Sequence, residues 1–202
     1  MTRLPIPRFP ERAAFAKTRN AALAQLLEVQ REVVRFAESV GSRQQRLPKV
    51  SAAKLNARPG AGRWSALECL EHLNRYADHY LPRLGAKAVL AKAAPDEAYK
   101  PGLLGKPFAL ALHPARREKK MRSPGNMNPI GSALNAEAVV GAFRQNMQGY
   151  LEVLKDLEGK GLRGNRVPVS AFPVVRLHLG DMLHTLVWHN ARHVVQGREA
   201  VG

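Results

Sequence analysis

"RWSALECLEHLNRYADHYLPRL", residues 63–84, carries its own start signal and its own sidedness. Ser65 and Glu68 form an S-x-x-E capping box, which satisfies backbone amides that a first helical turn leaves orphaned. Beyond it Cys69, Leu73, Tyr76 and Tyr80 recur at three- and four-residue steps, with Glu71 and Asp78 on the charged side. A capped amphipathic helix needs an apolar partner, and the chain offers three more helices of this kind. One runs from about Glu11 to Val40, where Phe15, Ala22, Leu26, Val29, Val33, Phe36 and Val40 recur before Gly41 offers a stop. Another covers Ala136 to Leu157, and the last covers Leu177 to Gly197. The stretch "VPVSAFPVV" (167–175) is β-branched enough for one short extended piece, but two prolines and its isolation argue against a sheet. The expectation is an all-α protein: one antiparallel four-helix-bundle domain over residues 1–202.

Between the second and third helices lies a long Pro-rich crossover, residues 93–134, with six prolines and the basic run "HPARREKKMR". A bare loop of about forty residues is unusual inside a compact domain. Leu103, Leu104, Phe108, Leu110 and Leu112 give it something to bury, so it is expected to close over one end of the bundle as a semi-ordered lid.

The totals narrow the function classes. With 45% apolar residues in 202, the composition is that of a cored domain and not of a disordered chain. The charge of +16, from 32 basic against 16 acidic side chains, attracts anionic partners without choosing among them. A single cysteine, Cys69, rules out an internal disulfide and makes a reducing, cytoplasmic address the default. The N-terminal twenty residues lack a continuous apolar stretch, so no signal peptide is expected, and no window is long enough for a membrane span.

Seven histidines are the candidate chemistry: His72, His79, His113, His178, His184, His189 and His193. At ~100° per residue, His193 lies about 40° from His189 and His184 about 140° away, so only the first two point at one spot. His178 is in register with the pair but too far along the axis. The pair borders the apolar sector of the last helix, and His72 borders that of the second. Facing helices in a bundle bring such border positions together. Three neutral imidazoles would leave open positions on a divalent metal, as a catalytic site requires. His79 reads as an interface histidine and His113 as a solvated loop residue. Glu68 reads first as a cap, with an outer hydrogen bond to an imidazole as its alternative. Trp64 reads as an apolar anchor at the helix start, Trp188 as a candidate wall of the site or a subunit contact, and Cys69 as inert packing.

"RWSALECLEHL" (63–73), "KMRSPGNMNPIGSALN" (120–135) and "LHLGDMLHTLVWHNARHVVQ" (177–196) together resemble the DinB-like superfamily of damage-inducible, YfiT-type four-helix bundles. The resemblance runs from about Leu47 to Gln196 and implies His72, His189 and His193 as ligands of a divalent metal, zinc or nickel foremost. It also implies homodimers and, in some branches, transferases that use mycothiol, bacillithiol or glutathione.

The leading expectation is therefore a metal-dependent enzyme that transfers a low-molecular-weight thiol to a small-molecule electrophile. Arg192, with Arg75 or the crossover as alternatives, would bind the anionic end of the thiol. A metal-dependent hydrolase is the nearest alternative, although the motif lacks the carboxylate base of H-E-x-x-H. A non-enzymatic, basic nucleic-acid-associated or stress-response protein is the alternative of another class, its nucleic-acid binding expected to be nonspecific, and no zinc-finger, RNP or helix-turn-helix signature supports it.

Overall fold

The computed structural model describes residues 4–41, 50–116 and 121–202. Six α-helices lie among them: α1 Arg19–Gly41, α2 Ala52–Asn56, α3 Ala66–Val89, α4 Gly105–Leu112, α5 Ala136–Lys155 and α6 Leu179–Val201. Two strands, β1 Val167–Val169 and β2 Phe172–Leu177, precede α6. Arg117 to Lys120, the middle of the basic run, and Leu47, where the resemblance begins, lie outside the described residues. No described helix is long and apolar enough to cross a membrane.

Each periodic stretch contains one long helix. Helices α1 and α3 both pack against α5 and α6, so the four enclose one core. Its largest fully buried side chains include Trp188, Tyr80, Tyr150, Phe143, Leu26 and Leu67. The α3 cap is present as read: the Glu68 amide donates to Ser65 Oγ (3.1 Å) and the Ser65 amide to Glu68 Oε2 (2.8 Å). Such a cap stabilises by about 1 kcal/mol. Buried amides set how the helices align. Gln30 on α1 donates to the Met147 carbonyl on α5 (2.8 Å), and Asn74 on α3 to the Val139 carbonyl on α5 (3.0 Å). Sliding either pair along the helix axis would strand a buried polar group.

Three expectations need correction. Helix α1 begins at Arg19 and not near Glu11, because residues 17–20 pair with 96–99. The Arg19 amide donates to the Glu97 carbonyl (2.8 Å), the Asn20 amide to Asp96 Oδ1 (2.8 Å) and the Tyr99 amide to the Lys17 carbonyl (2.9 Å). Phe15 is apolar because it packs on Trp188 (5.1 Å between rings), outside any helix. Second, "VPVSAFPVV" forms a hairpin: Val167 pairs with Leu177 and Val169 with Phe172, with a register shift between Pro168 and Val169. An isolated pair of strands has two free edges, so a proline can sit where its missing N–H is not needed. Leu177 closes this hairpin, which delays α6 to Leu179.

The third correction concerns residues 93–134, which are not bare loop. Helix α4 and two short 3-10 turns, Pro114–Arg116 and Gly125–Met127, interrupt them, and α4 packs on α6. Leu103 and Leu104, expected to be buried, are 92% and 51% exposed. The segment is fastened instead by Asp181, in the first turn of α6 and buried. Its carboxylate accepts from the Tyr99 hydroxyl (3.0 Å) and the Gly102 amide (3.0 Å). The fit leaves no room at Gly105, where a Cβ would lie 2.2 Å from the carboxylate carbon.

Two glycines in helices therefore predict opposite signs for one substitution. Gly105→Ala drives a methyl into Asp181 and is expected to destabilise by about 1–3 kcal/mol. Gly85→Ala in α3 meets nothing within 4 Å and is expected to stabilise by about 0.5–1 kcal/mol. Urea denaturation of both variants measures this, and equal effects would overturn the account of α4 docking.

Burial also makes the fold acid-sensitive away from the histidine cluster. His184 is buried beside Phe15, Tyr99 and Trp188, and loss of hydration pushes its pKa down from 6.5 to about 4. The unfolded chain then takes up the proton first, so this contribution is complete above about pH 6.5 and is lost as pH falls toward 4. His184→Leu should flatten the fall in unfolding free energy across that window by about 1.4 kcal/mol per pH unit. Denaturation midpoints at pH 7, 6 and 5 test this. An unchanged slope would mean that His184 does not stay neutral in the fold.

Candidate metal centre

Helices α3 and α6 run against each other, and small residues let them approach. Gly197 faces Ala66 and Cys69, and a Cβ added there would sit 3.4 Å from that of Cys69. Across this seam His72 from α3 meets His189 and His193 from α6. One ligand nitrogen or more from each ring lies within 4.8 Å of the others. The ring centroids are 5.0 Å (His72 to His189), 4.6 Å (His72 to His193) and 4.6 Å (His189 to His193) apart. His72 and His189 are buried, and His193 is half-buried as a residue with its Nδ1 buried.

The nitrogens of His72 can be assigned from its partners. Nδ1 lies 2.7 Å from the Met127 carbonyl, which can only accept, so Nδ1 carries the proton and Nε2 a lone pair. That Nε2 is 3.1 Å from Nε2 of His189. Two imidazoles on one tetrahedral ion at 2.0–2.1 Å would hold their nitrogens ~3.3 Å apart, close to this spacing. The Nδ1 atoms of His189 and His193 are buried with no hydrogen-bond partner among the described residues. A lone pair facing another imidazole, with buried nitrogens unpaired around it, fits a cation-binding donor set better than a closed hydrogen-bond network.

Electrostatics keeps these rings uncharged. Burial lowers the His72 pKa to about 4, with the Arg75 charge helping and the Met127 carbonyl opposing. Burial also pushes His189 and His193 well below 6.5, reinforced by the neighbouring imidazoles and the Arg192 charge. A neutral imidazole is the form that ligates metal, so the three are ready near neutral pH.

Two aromatic rings flank the cluster. Trp64 lies 4.7 Å from His72 and stacks at 5.7 Å on His193, while Tyr76 is 4.9 Å from His72 and 4.5 Å from His189. Burial, with Tyr80 nearby, pushes the Tyr76 phenol up to about 12 against a Ser170 hydrogen bond, so it keeps its proton. Sequence reasoning gave neither residue this place: Trp64 was an anchor and Tyr76 a core position. The signal for Tyr76 was its i+4 spacing from His72 on one helix face. The Met127 carbonyl had no sequence signal at all.

The other candidates fall elsewhere. Trp188 is fully buried, against Phe15, His113 and His184, and does not wall the cluster. His113, expected in solvent, is fully buried with its ring 4.6 Å from that of Trp188, because the turn after α4 folds onto α6. His184 is on the opposite side of α6 from the pair, as its angular position requires. His79 packs edge-on to Tyr80, and His178 Nδ1 accepts from the Gly164 amide (3.1 Å). Glu68 is held by Arg58 and Ser65: burial raises its pKa, but these hydrogen bonds outweigh that and keep it lowered. Cys69 is buried, which pushes its thiol far up and leaves it a packing residue. Arg192 is buried and donates through Nη1 to the Arg116 carbonyl (2.9 Å). Arg75 reaches the crossover backbone, donating to the Asn128 carbonyl (2.7 Å).

No curated protein and no solved structure matches this chain. The sequence profile of the DinB superfamily matches residues 43–196, a span that contains all three clustered histidines and the crossover. With that match covering most of its length, the chain belongs to the DinB superfamily.

Proposed function

We propose that this protein is a divalent-metal-dependent enzyme of the thiol S-transferase type, with zinc or nickel held by His72, His189 and His193. The observation that carries the reading is the convergence of three neutral imidazoles, one with its lone pair already aimed at a second ring. The reading takes the four long helices as the antiparallel bundle, with α3 and α6 as the facing pair and the crossover fastened over their seam.

A bound divalent ion supplies Lewis acidity that lowers the pKa of a thiol or a water brought to it. The chain's own groups do the rest. Trp64 and Tyr76 flank the histidines with apolar rings and limit water there, which strengthens electrostatic interactions in the site. Tyr76 keeps its proton and presents its ring to His72 and His189. Arg192 lies close enough to depress both α6 histidines and would add positive charge for an anionic thiol.

One observation favours a thiol over water as the activated group. Hydrolysis by activated water usually enlists a carboxylate as general base. The two carboxylates nearest His72 in sequence are engaged: Glu68 with Arg58 and Ser65, and Glu71 with Arg75. A thiol, with its much lower intrinsic pKa, needs no such base.

Elemental analysis of untagged protein purified without chelator is expected to show near-stoichiometric zinc or nickel. His72→Ala and His189→Ala should each lose most of it while retaining helical circular dichroism. Wild-type protein that stays metal-free after incubation with both ions would overturn the metal centre. Metal-loaded protein is then expected to conjugate mycothiol, bacillithiol or glutathione to a slow alkylating electrophile. Absence of turnover with all three, together with ester or amide hydrolysis, would replace the transferase with a hydrolase.

A further inference from the structure

We propose that Arg75 is a positioning residue for the histidine cluster. It holds the Met127 carbonyl on Nδ1 of His72 and so fixes which nitrogen His72 turns toward His189 and His193. The effect on metal affinity rests on the metal-centre reading above, whereas the effect on the His72 tautomer stands without it.

Arg75 lies three residues beyond His72 on α3, and its guanidinium reaches over to residues 126–132. Nη1 donates to the Asn128 carbonyl at 2.7 Å and, at the long limit of 3.5 Å, to the Asn126 carbonyl. Nη2 donates to Ser132 Oγ at 2.7 Å, and Nε to Glu71 Oε1 at 3.0 Å. The carbonyls on either side of Met127 are thus turned to Arg75, and the one between them is turned to His72 at 2.7 Å. Alternate carbonyls of one short segment face two side chains about one turn apart on the same helix. The segment's internal bonds are local: Met127 N–H to the Pro124 carbonyl, Asn128 N–H to the Gly125 carbonyl, Ile130 N–H to Asn128 Oδ1 and Ser132 N–H to the Pro129 carbonyl. Those bonds shape the turn without tying it to α3, which is what the planar guanidinium fork does. A lysine, with one ammonium, cannot span the same acceptors.

The consequence is chemical. As long as the Met127 carbonyl is in place, His72 is the Nδ1–H tautomer with a bare Nε2. With the carbonyl displaced, the proton is free to move to Nε2, the nitrogen that faces His189. Loss of such outer partners of a metal-ligating histidine typically weakens metal binding 10–100-fold.

The test uses ¹⁵N-labelled, metal-free full-length protein as wild type, Arg75→Ala and Arg75→Lys. Long-range ¹H–¹⁵N spectra of the imidazoles report the His72 tautomer directly. A single Nδ1–H form is expected in the wild type, and a tautomer mixture in both variants. Zinc affinity, measured by competition with a chromophoric chelator, should fall about 10–100-fold in both variants. Should Arg75→Ala fail to fold by circular dichroism, Arg75→Lys alone decides. A single tautomer in the variants with affinity unchanged within about twofold overturns the proposal, and so does full rescue by lysine, which would make charge and not the fork responsible. If the wild type binds no zinc, the metal-centre reading fails, and the tautomer spectra still decide the role of Arg75.

Discussion

A carboxylate removed from water must find donors, and at Asp181 that requirement settles how the chain crosses between its two halves. Asp181 is buried at the start of α6, and its donors, the Tyr99 hydroxyl and the Gly102 amide, come from the segment after α3. Gly105 then starts α4 against the same carboxylate, where no side chain fits. With α4 docked on α6, the following turn brings His113 against Trp188. The 3-10 turn Gly125–Met127 packs on α3, where the Met127 carbonyl meets His72. One buried carboxylate in the first turn of the last helix thereby fixes where the crossover begins.

Two sets of polar residues on α6 face different neighbours according to angle. Asp181 and His184 face the crossover and the N-terminal segment, in surroundings built from Tyr99, Phe15 and Trp188. His189 and His193 face α3, flanked by the rings of Trp64 and Tyr76. The two sets have different chemistry although both contain buried histidines. His184 has Nδ1 on the Gly180 carbonyl of its own helix (2.8 Å) and aromatic rings around it, which is a packing arrangement. The other set brings three imidazoles to one point, where no single tautomer choice pairs every nitrogen.

What was legible in the sequence follows the range of the interaction involved. The α3 cap involves residues three apart, and the angular separation of His184 from the pair follows from helix geometry; both could be worked out on paper. The meeting of His72 with the α6 pair needed only border positions on two amphipathic helices. The start of α1 could not be read, because it is set by pairing with residues 96–99. His113 sits in a basic, proline-rich stretch, which composition alone assigns to solvent; its burial comes from the docking of α4. The two tryptophans show the same limit. Trp188 adjoins His189 in sequence but points into the core, while Trp64, before the cap and apparently remote, covers the cluster.

The histidines also differ in how far each is prepared. His72 has its proton placed by a backbone carbonyl, and that carbonyl belongs to a segment strapped to α3 by Arg75. His189 and His193 have unpaired Nδ1 atoms, and their orientation rests chiefly on helix packing and the aromatic rings, with a Gln196 hydrogen bond on His193 in addition. A cluster organised in this way has one imidazole fixed in advance and two held by rigid backbone one turn apart. Backbone rigidity suffices for the pair because an i,i+4 spacing on one helix fixes their separation. It does not suffice for His72, which must meet them from another helix with the correct nitrogen forward. The extra hydrogen bond therefore falls on the one member of the cluster that helix geometry leaves undetermined.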